Sequence, residues 1–216
     1  MSAVSHKCRH FKERCIAVKD LEKLLKEAGL GSFFRPIQVQ NLGLSFAQLK
    51  SLVKNGSVER VSRGLYRLHN AEPTENYSLA AVCARAPKAV ICLLSALKVH
   101  GIGTQMPREV WIAIPHKARV PRITQVPVRI IRFSGRSWNY GVTPVTLEGV
   151  PARITNPART VVDCFRFQRL IGREAAMEAL RDALRERKVT VDQIWRTAEV
   201  CRARSLVSPY LESFSV

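Results

Sequence analysis

Ser95, His100 and Asp163 supply the residue types of a nucleophile, a general base and its orienting carboxylate. Ser95 and His100 share one helical run that ends at Gly101, and no Gly-x-Ser-x-Gly elbow presents the hydroxyl. Both are expected to be structural. Asp163 followed by Glu186-Arg187-Lys188 echoes the Asp…Glu-x-Lys of metal-dependent nucleases. That Glu and Lys fall at a helix end and not on a strand, so metal-assisted cleavage is not expected. His6, Cys8, His10 and Cys15 are zinc-type ligands, but their spacing fits no standard finger and no second ligand pair follows. Gly101-Ile102-Gly103 is too short to be a phosphate-cradling loop. No catalytic residue, metal or cofactor is therefore expected.

The chemistry that remains is recognition of a polyanion. On a helix from Phe46 to Asn55, at about 100° per residue, Ala47, Ser51 and Lys54 share one face. Gln48, Lys50 and Asn55 flank it, and Phe46, Leu49, Leu52 and Val53 lie opposite. Lys50 and Lys54 suit phosphate or guanine, Gln48 and Asn55 suit adenine, and Ala47 suits a thymine methyl. Arg63, at the tip of a following hairpin, can reach phosphate or the minor groove, with Arg60 and Arg67 behind it. The candidate DNA-binding residues are thus Ser45, Ala47, Gln48, Lys50, Ser51, Lys54, Arg60, Arg63 and Arg67. A second basic stretch holds Lys117, Arg119, Arg122, Arg129, Arg132 and Arg136, with no acid between His116 and Arg136. It is either a solvated loop and strand face or a contact to DNA or another polyanion, since basic residues alone give affinity without sequence readout.

Local signals supply the elements that must position these groups. Val18, Leu21, Leu24, Leu25 and Ala28 keep helical spacing, and Gly29 offers a stop. A loop with Phe33 and Phe34 is expected next. Pro36 suits the first turn of a second helix carrying Ile37, Val39 and Leu42, which Gly43 breaks. Ser45-Phe-Ala-Gln48 is a capping box opening the third helix, and Asn55-Gly56 closes it. Two short strands from Ser57 to Leu68 follow, joined through Ser62-Arg63-Gly64. Pairing Val61 with Leu65 would set Glu59 opposite Arg67 and put Val58, Tyr66 and Leu68 on one face.

After a linker around Asn70 to Glu75, helices are expected at Tyr77–Arg85 and Ile91–His100. Strands are expected at Glu109–Ile114 and Val128–Phe133, with a further pair within Val142–Ile154 around Glu148-Gly149. Asn156-Pro157 caps a helix through Phe165, and charged, alanine-rich helices fill Arg173–Arg187 and Val191–Arg202. The small residues of the first of these, from Ala175 to Leu184, are expected to pack inside the domain. The fold class is α+β: an N-terminal winged helix-turn-helix followed by a larger mixed α/β C-terminal domain. The expected boundaries are a flexible basic tail at 1–17, the winged helix at 18–70, and the second domain at 77–216.

Bulk properties agree with a polyanionic partner. The 216 residues carry 35 Lys and Arg against 17 Asp and Glu, a formal net charge of +18. That excess points to nucleic acid or an anionic membrane surface. No apolar run reaches the ~18 residues of a bilayer span, and Met1–His10 has no apolar core of a secretory signal. Of the six cysteines, four lie inside apolar stretches and none forms Cys-x-x-Cys. That usage suits a reducing cytoplasm. Between residues 18 and 70, nine basic residues face four acids. Three of those acids fall in the first helix and none in the third.

Leu42-Gly-Leu-Ser-x-x-x-Leu49 and the run from Leu52 through the hairpin to Leu68 resemble the N-terminal domain of AbiEi-type antitoxins of bacterial type IV toxin–antitoxin systems. Ser95-Ala-Leu-Lys-Val-His-Gly101 and Val150–Cys164 resemble two later segments of that family, so the likeness covers about residues 18 to 210. The chain departs from it in its basic N-terminal tail and at Phe33-Phe34-Arg35-Pro36. The resemblance implies a two-domain protein whose N-terminal domain binds inverted repeats of double-stranded DNA in its own promoter and represses it. It further implies that the C-terminal domain counteracts a nucleotidyltransferase-like toxin without a stable complex. Two other readings stay open on the residues alone: an enzyme acting on nucleic acid, such as a nuclease, and an adaptor whose winged helix binds protein.

Overall fold

An amphipathic helix, α1 (Val18–Glu27), is the first element of the structure, a computed structural model that describes residues 18–28, 32–62, 64–69, 74–124 and 126–212. The basic tail with its His6, Cys8, His10 and Cys15, and the expected stop at Gly29, lie outside the described residues. Leu21 and Leu25, one turn apart, are fully buried. Phe33 and Phe34, expected in a loop, form a short strand β1 (Phe33–Phe34). Two residues are too few for alternation to show in a sequence, so only the pairing partner reveals them.

Helix α2 (Pro36–Asn41) carries its proline in the first turn, where the missing N–H would have had no intrahelical partner. The Arg35 N–H donates to Gln38 Oε1 at 2.6 Å. Val39 is buried, whereas Ile37 is exposed and Leu42 lies past the helix end as its C-cap. Helix α3 (Phe46–Lys54) starts and stops where its capping box and Asn55-Gly56 require. Strands β2 (Val58–Ser62) and β3 (Leu65–Leu68) then form an antiparallel hairpin, and β1 completes a sheet of order β1-β3-β2.

The Glu59–Arg67 register is present, but Ser62, not Val61, pairs with Leu65. A bulge between Arg60 and Ser62 absorbs the extra residue, so Val61 turns its side chain inward. Gly64, at φ +73°, supplies the left-handed turn. Leu21, Leu25, Phe34, Val39, Leu44, Leu49, Leu52, Val58, Tyr66 and Leu68 form one core, in which the Phe34 and Tyr66 rings stack at 6.2 Å.

By internal contacts the chain divides into two compact units: Met1–Tyr77 with Glu148–Val150, and Ser78–Leu147 with Pro151–Val216. The second portion runs through α4 (Tyr77–Arg85), β4 (Val90–Ile91), α5 (Leu93–His100), β5 (Val110–Pro115) and β6 (Val128–Phe133). A 3-10 turn (Gly135–Trp138), β7 (Val142–Leu147) and β8 (Val150–Thr155) follow. Then come α6 (Pro157–Arg166), α7 (Gln168–Ile171), α8 (Arg173–Arg185), α9 (Val191–Val200) and α10 (Arg204–Leu211).

The sheet order is β6-β5-β4-β8-β7, with β5–β6 and β4–β8 parallel and β4–β5 antiparallel. Ile91, expected at a helix start, instead pairs with Ile112 and Ile154 in the centre of this sheet, and α5 begins at Leu93. A short apolar run reads alike for a buried strand and a buried helix, which explains the difference. α6 is buried from Ala158 to Phe165 and packs against α5, α8 and α9. Ala175, Ala176, Ala179, Leu180 and Ala183 of α8 all enter this core. Among the described residues, no helix is long and apolar enough to cross a membrane.

Candidate nucleic-acid interface

The start of α3 is fixed by two reciprocal bonds. Ser45 Oγ accepts the Gln48 N–H at 3.2 Å, and Gln48 Oε1 accepts the Ser45 N–H at 2.8 Å. Asn55 Oδ1 accepts the Ser57 N–H at 3.1 Å and shapes the exit. Leu49 and Leu52 anchor the helix to the core. Ser45, Ala47, Lys50, Ser51 and Lys54 are exposed, and Gln48 is half-buried. The helix contains no acidic residue. Its outer face is therefore small, polar and cationic, and its backbone presents the positive end of its dipole beside Ser45.

Phe46 stands against its expectation. It was placed with the core residues but is 43% exposed. At 100° per residue, Phe46 sits about 90° from the midpoint of Leu49 and Leu52 and only about 40° from Lys50. The Lys50 ammonium lies over the Phe46 ring, 5.1 Å from its centroid. The spacing therefore puts Phe46 at a face boundary, where an apolar residue can fall either way.

On the hairpin, Arg60 is exposed and Arg67 is half-buried. The Arg67 guanidinium lies over the Tyr77 ring at 4.3 Å, and Tyr77 also stacks on Phe33 at 5.7 Å. Arg67 is therefore held against an aromatic surface, a role that no local signal announced. Arg63 lies outside the described residues.

The second basic stretch divides by role. Lys117, Arg119 and Arg122 are exposed on the segment that joins the parallel strands β5 and β6. Arg129 pairs with Glu109 at 2.8 Å and lies 5.6 Å from the Trp111 ring centroid. Arg132 donates through Nη1 to the carbonyls of Pro115, His116 and Ala118, which ties down the start of that segment. The side chain of Arg136 lies outside the described residues.

The hydrolytic candidates are not brought together. Ser95, buried, accepts the Trp111 N–H at 2.9 Å. His100 Nε2 meets the Thr155 carbonyl at 2.6 Å, which makes it the protonated ring nitrogen. Burial holds His100 below its ordinary pKa, with the Lys188 charge acting the same way and the Thr155 bond opposing.

Asp163 is wholly buried and accepts from Arg159 Nε and Arg166 Nη1, each at 2.7 Å. Burial pushes its carboxyl up, and the two guanidiniums pull it back. Arg159, also wholly buried, donates to the carbonyls of Ser137 and Tyr140 and lies over the Phe133 ring. Sequence reasoning missed this pair, since nothing in the run Pro157–Arg166 marks which of its arginines turns inward. Glu186 and Lys188 pair with each other at 2.7 Å, and Lys188 also donates to the Gly101 carbonyl. Among the described residues no group of three His, Cys, Asp or Glu side chains could hold a metal ion. Cys83, Cys92, Cys164 and Cys201 are buried free thiols, and desolvation pushes Cys83 up to about 12.

Residues 22–69, which run from α1 to just past the hairpin, match a family described as "Transcriptional regulator, AbiEi antitoxin". The AbiEi-type segment recognised on its motifs is present in the chain. A search of curated proteins finds no match. Among solved structures, the chain is similar to the crystal structure of the RV2827C protein from Mycobacterium tuberculosis. That likeness has a TM-score of 0.54 at 16% identity and covers 93% of this chain and 72% of that one. At such identity it concerns the fold alone.

Proposed function

We propose that the chain is a DNA-binding transcriptional regulator whose residues 18–70 form a winged helix-turn-helix, with α3 in the major groove and the β2–β3 hairpin as the wing. The observation that carries this is the outer face of α3, exposed, cationic and free of acids inside the AbiEi-type segment. An acid-free face suits a surface that closes on phosphates. Ala47, Ser51 and Lys54 meet base edges, Lys50 adds cationic contact, and Arg60 and Arg63 meet the backbone from the wing.

Gln48 takes a different part from a simple adenine reader. A bidentate adenine contact uses both ends of the side-chain amide, and its Oε1 is engaged at the Ser45 N–H. Ser45 and Gln48 therefore act by holding the helix start. Arg67, over Tyr77, supports the wing from behind.

The finer reading follows the family. The chain represses its own promoter at inverted repeats and is the antitoxin for a nucleotidyltransferase-like toxin, with residues 77–216 as the antitoxin domain and no stable complex between the two proteins. Two experiments test it. Lys54→Ala should cost about 1–3 kcal/mol on the promoter site and little on unrelated duplex. Arg60→Ala should weaken all sequences alike and flatten the log–log salt slope by about 1. Equal binding by both variants and the parent protein refutes the placement. For the antitoxin role, co-expression of this chain should rescue the growth of cells that carry a nucleotidyltransferase-like toxin, without co-purification of the two proteins. Failure to rescue removes that role and leaves the DNA reading standing.

A further inference from the structure

Phe46 is a large apolar side chain left in water at the edge of the helix face proposed to meet DNA, at 43% exposure, about 40° around the helix from Lys50. It is the first residue of α3, directly after the Ser45 cap, so its backbone is fixed by the reciprocal Ser45–Gln48 bonds. The Lys50 ammonium over the ring restricts the side chain from one side. The result is a pre-positioned aromatic edge flanked by a cation, at the end of the helix that approaches base edges in winged helices.

The major groove offers one apolar group to such an edge, the 5-methyl of thymine. A protein partner would also accept an exposed phenylalanine, but the surrounding residues argue for DNA. The face it borders carries Lys50, Lys54, Ser51 and Ala47, with no acid on the helix. We propose that Phe46 is a specificity-determining residue that reads a thymine through its 5-methyl group, with Lys50 holding the ring in place. This inference rests on the winged-helix reading above and deepens it.

The full-length chain is titrated by fluorescence anisotropy against a duplex from its own promoter. Thymidines of that duplex are replaced one at a time by deoxyuridine, which pairs identically and lacks only the methyl. The parent protein should lose about four-fold in affinity at one thymine per half-site, the effect of uncovering one methyl-sized group. Phe46→Ala should bind the thymine duplex about four-fold or more weakly and lose nothing further on deoxyuridine at that position. Phe46→Leu should retain part of the discrimination.

The inference is overturned if Phe46→Ala keeps the parent's sensitivity at every thymine, or if the parent is indifferent to every replacement. Lys54→Ala, measured alongside, separates the two levels. If it weakens promoter binding while the Phe46 variants behave as the parent, the thymine contact fails and the winged-helix reading stands. If Lys54→Ala and the Phe46 variants all bind as the parent does, both fail.

Discussion

Arg159 and Asp163 show how much one buried pair can decide. Both are 0% exposed, and Asp163 also receives Arg166, so its two oxygens are each engaged by a guanidinium. Asp163→Ala should cost about 3–5 kcal/mol in urea unfolding, because it leaves a buried cation without its partner. Replacing both partners, Arg159→Met with Asp163→Leu, should recover much of that loss. A small effect of Asp163→Ala alone would contradict the burial.

His100 gives the second residue-scale prediction. Its folded pKa lies below the ordinary 6.5, so the unfolded chain takes up the proton first as pH falls. Its contribution is complete above 6.5 and is lost as pH drops from there toward the folded value. The urea midpoint of the parent should fall over that window, and His100→Gln, which can still donate to Thr155, should remove that component. Caps such as Ser45 and Asn156 were legible in the sequence because they act within three residues. Arg159 and Phe46 were not, because their environments are set by residues distant in the chain or by a face boundary.

At the scale of elements, the longer helices and the β7–β8 pair were legible, since periodicity and turn chemistry agree there. The two-residue strands β1 and β4 were not. They exist only because β3, β5 and β8 offer them edges. The hairpin shows the same limit within one motif. Its Glu59–Arg67 pairing follows from charge and burial, but neither announces the bulge that moves Leu65 opposite Ser62.

Two glycines test the backbone account. Gly64→Ala meets open space at φ +73°, so it should cost only the left-handed strain of about 1–2 kcal/mol. Gly141→Ala, at φ +62°, would place its Cβ 2.8 Å from the Arg159 Cβ and should cost clearly more in the same thermal unfolding assay. Equal losses would refute the close approach of the β7 entry to α6.

For the whole molecule, the net charge of +18 suits a polyanionic partner without saying where one would sit. The structure narrows the candidates differently in the two units. In the first, Lys50, Lys54 and Arg60 are exposed around a capped helix and hairpin. In the second, Arg129 and Arg132 are exposed but engaged by Glu109 and by backbone carbonyls, whereas Lys117, Arg119 and Arg122 are exposed on the segment between β5 and β6. Local sequence signals were enough for the first arrangement. The second needed the fold, because an arginine that braces a loop and one that waits for a phosphate read alike in a sequence.

In the function proposed above, the first unit grips duplex DNA through α3. Its most direct test is the salt dependence of full-length binding to a promoter duplex from about 50 to 200 mM, with Lys54→Ala and Arg60→Ala in parallel. Binding should weaken linearly on a log–log plot, with a selective loss for Lys54→Ala and a slope shallower by about 1 for Arg60→Ala. Absence of binding at the lowest salt, or binding that neither variant changes, would contradict it.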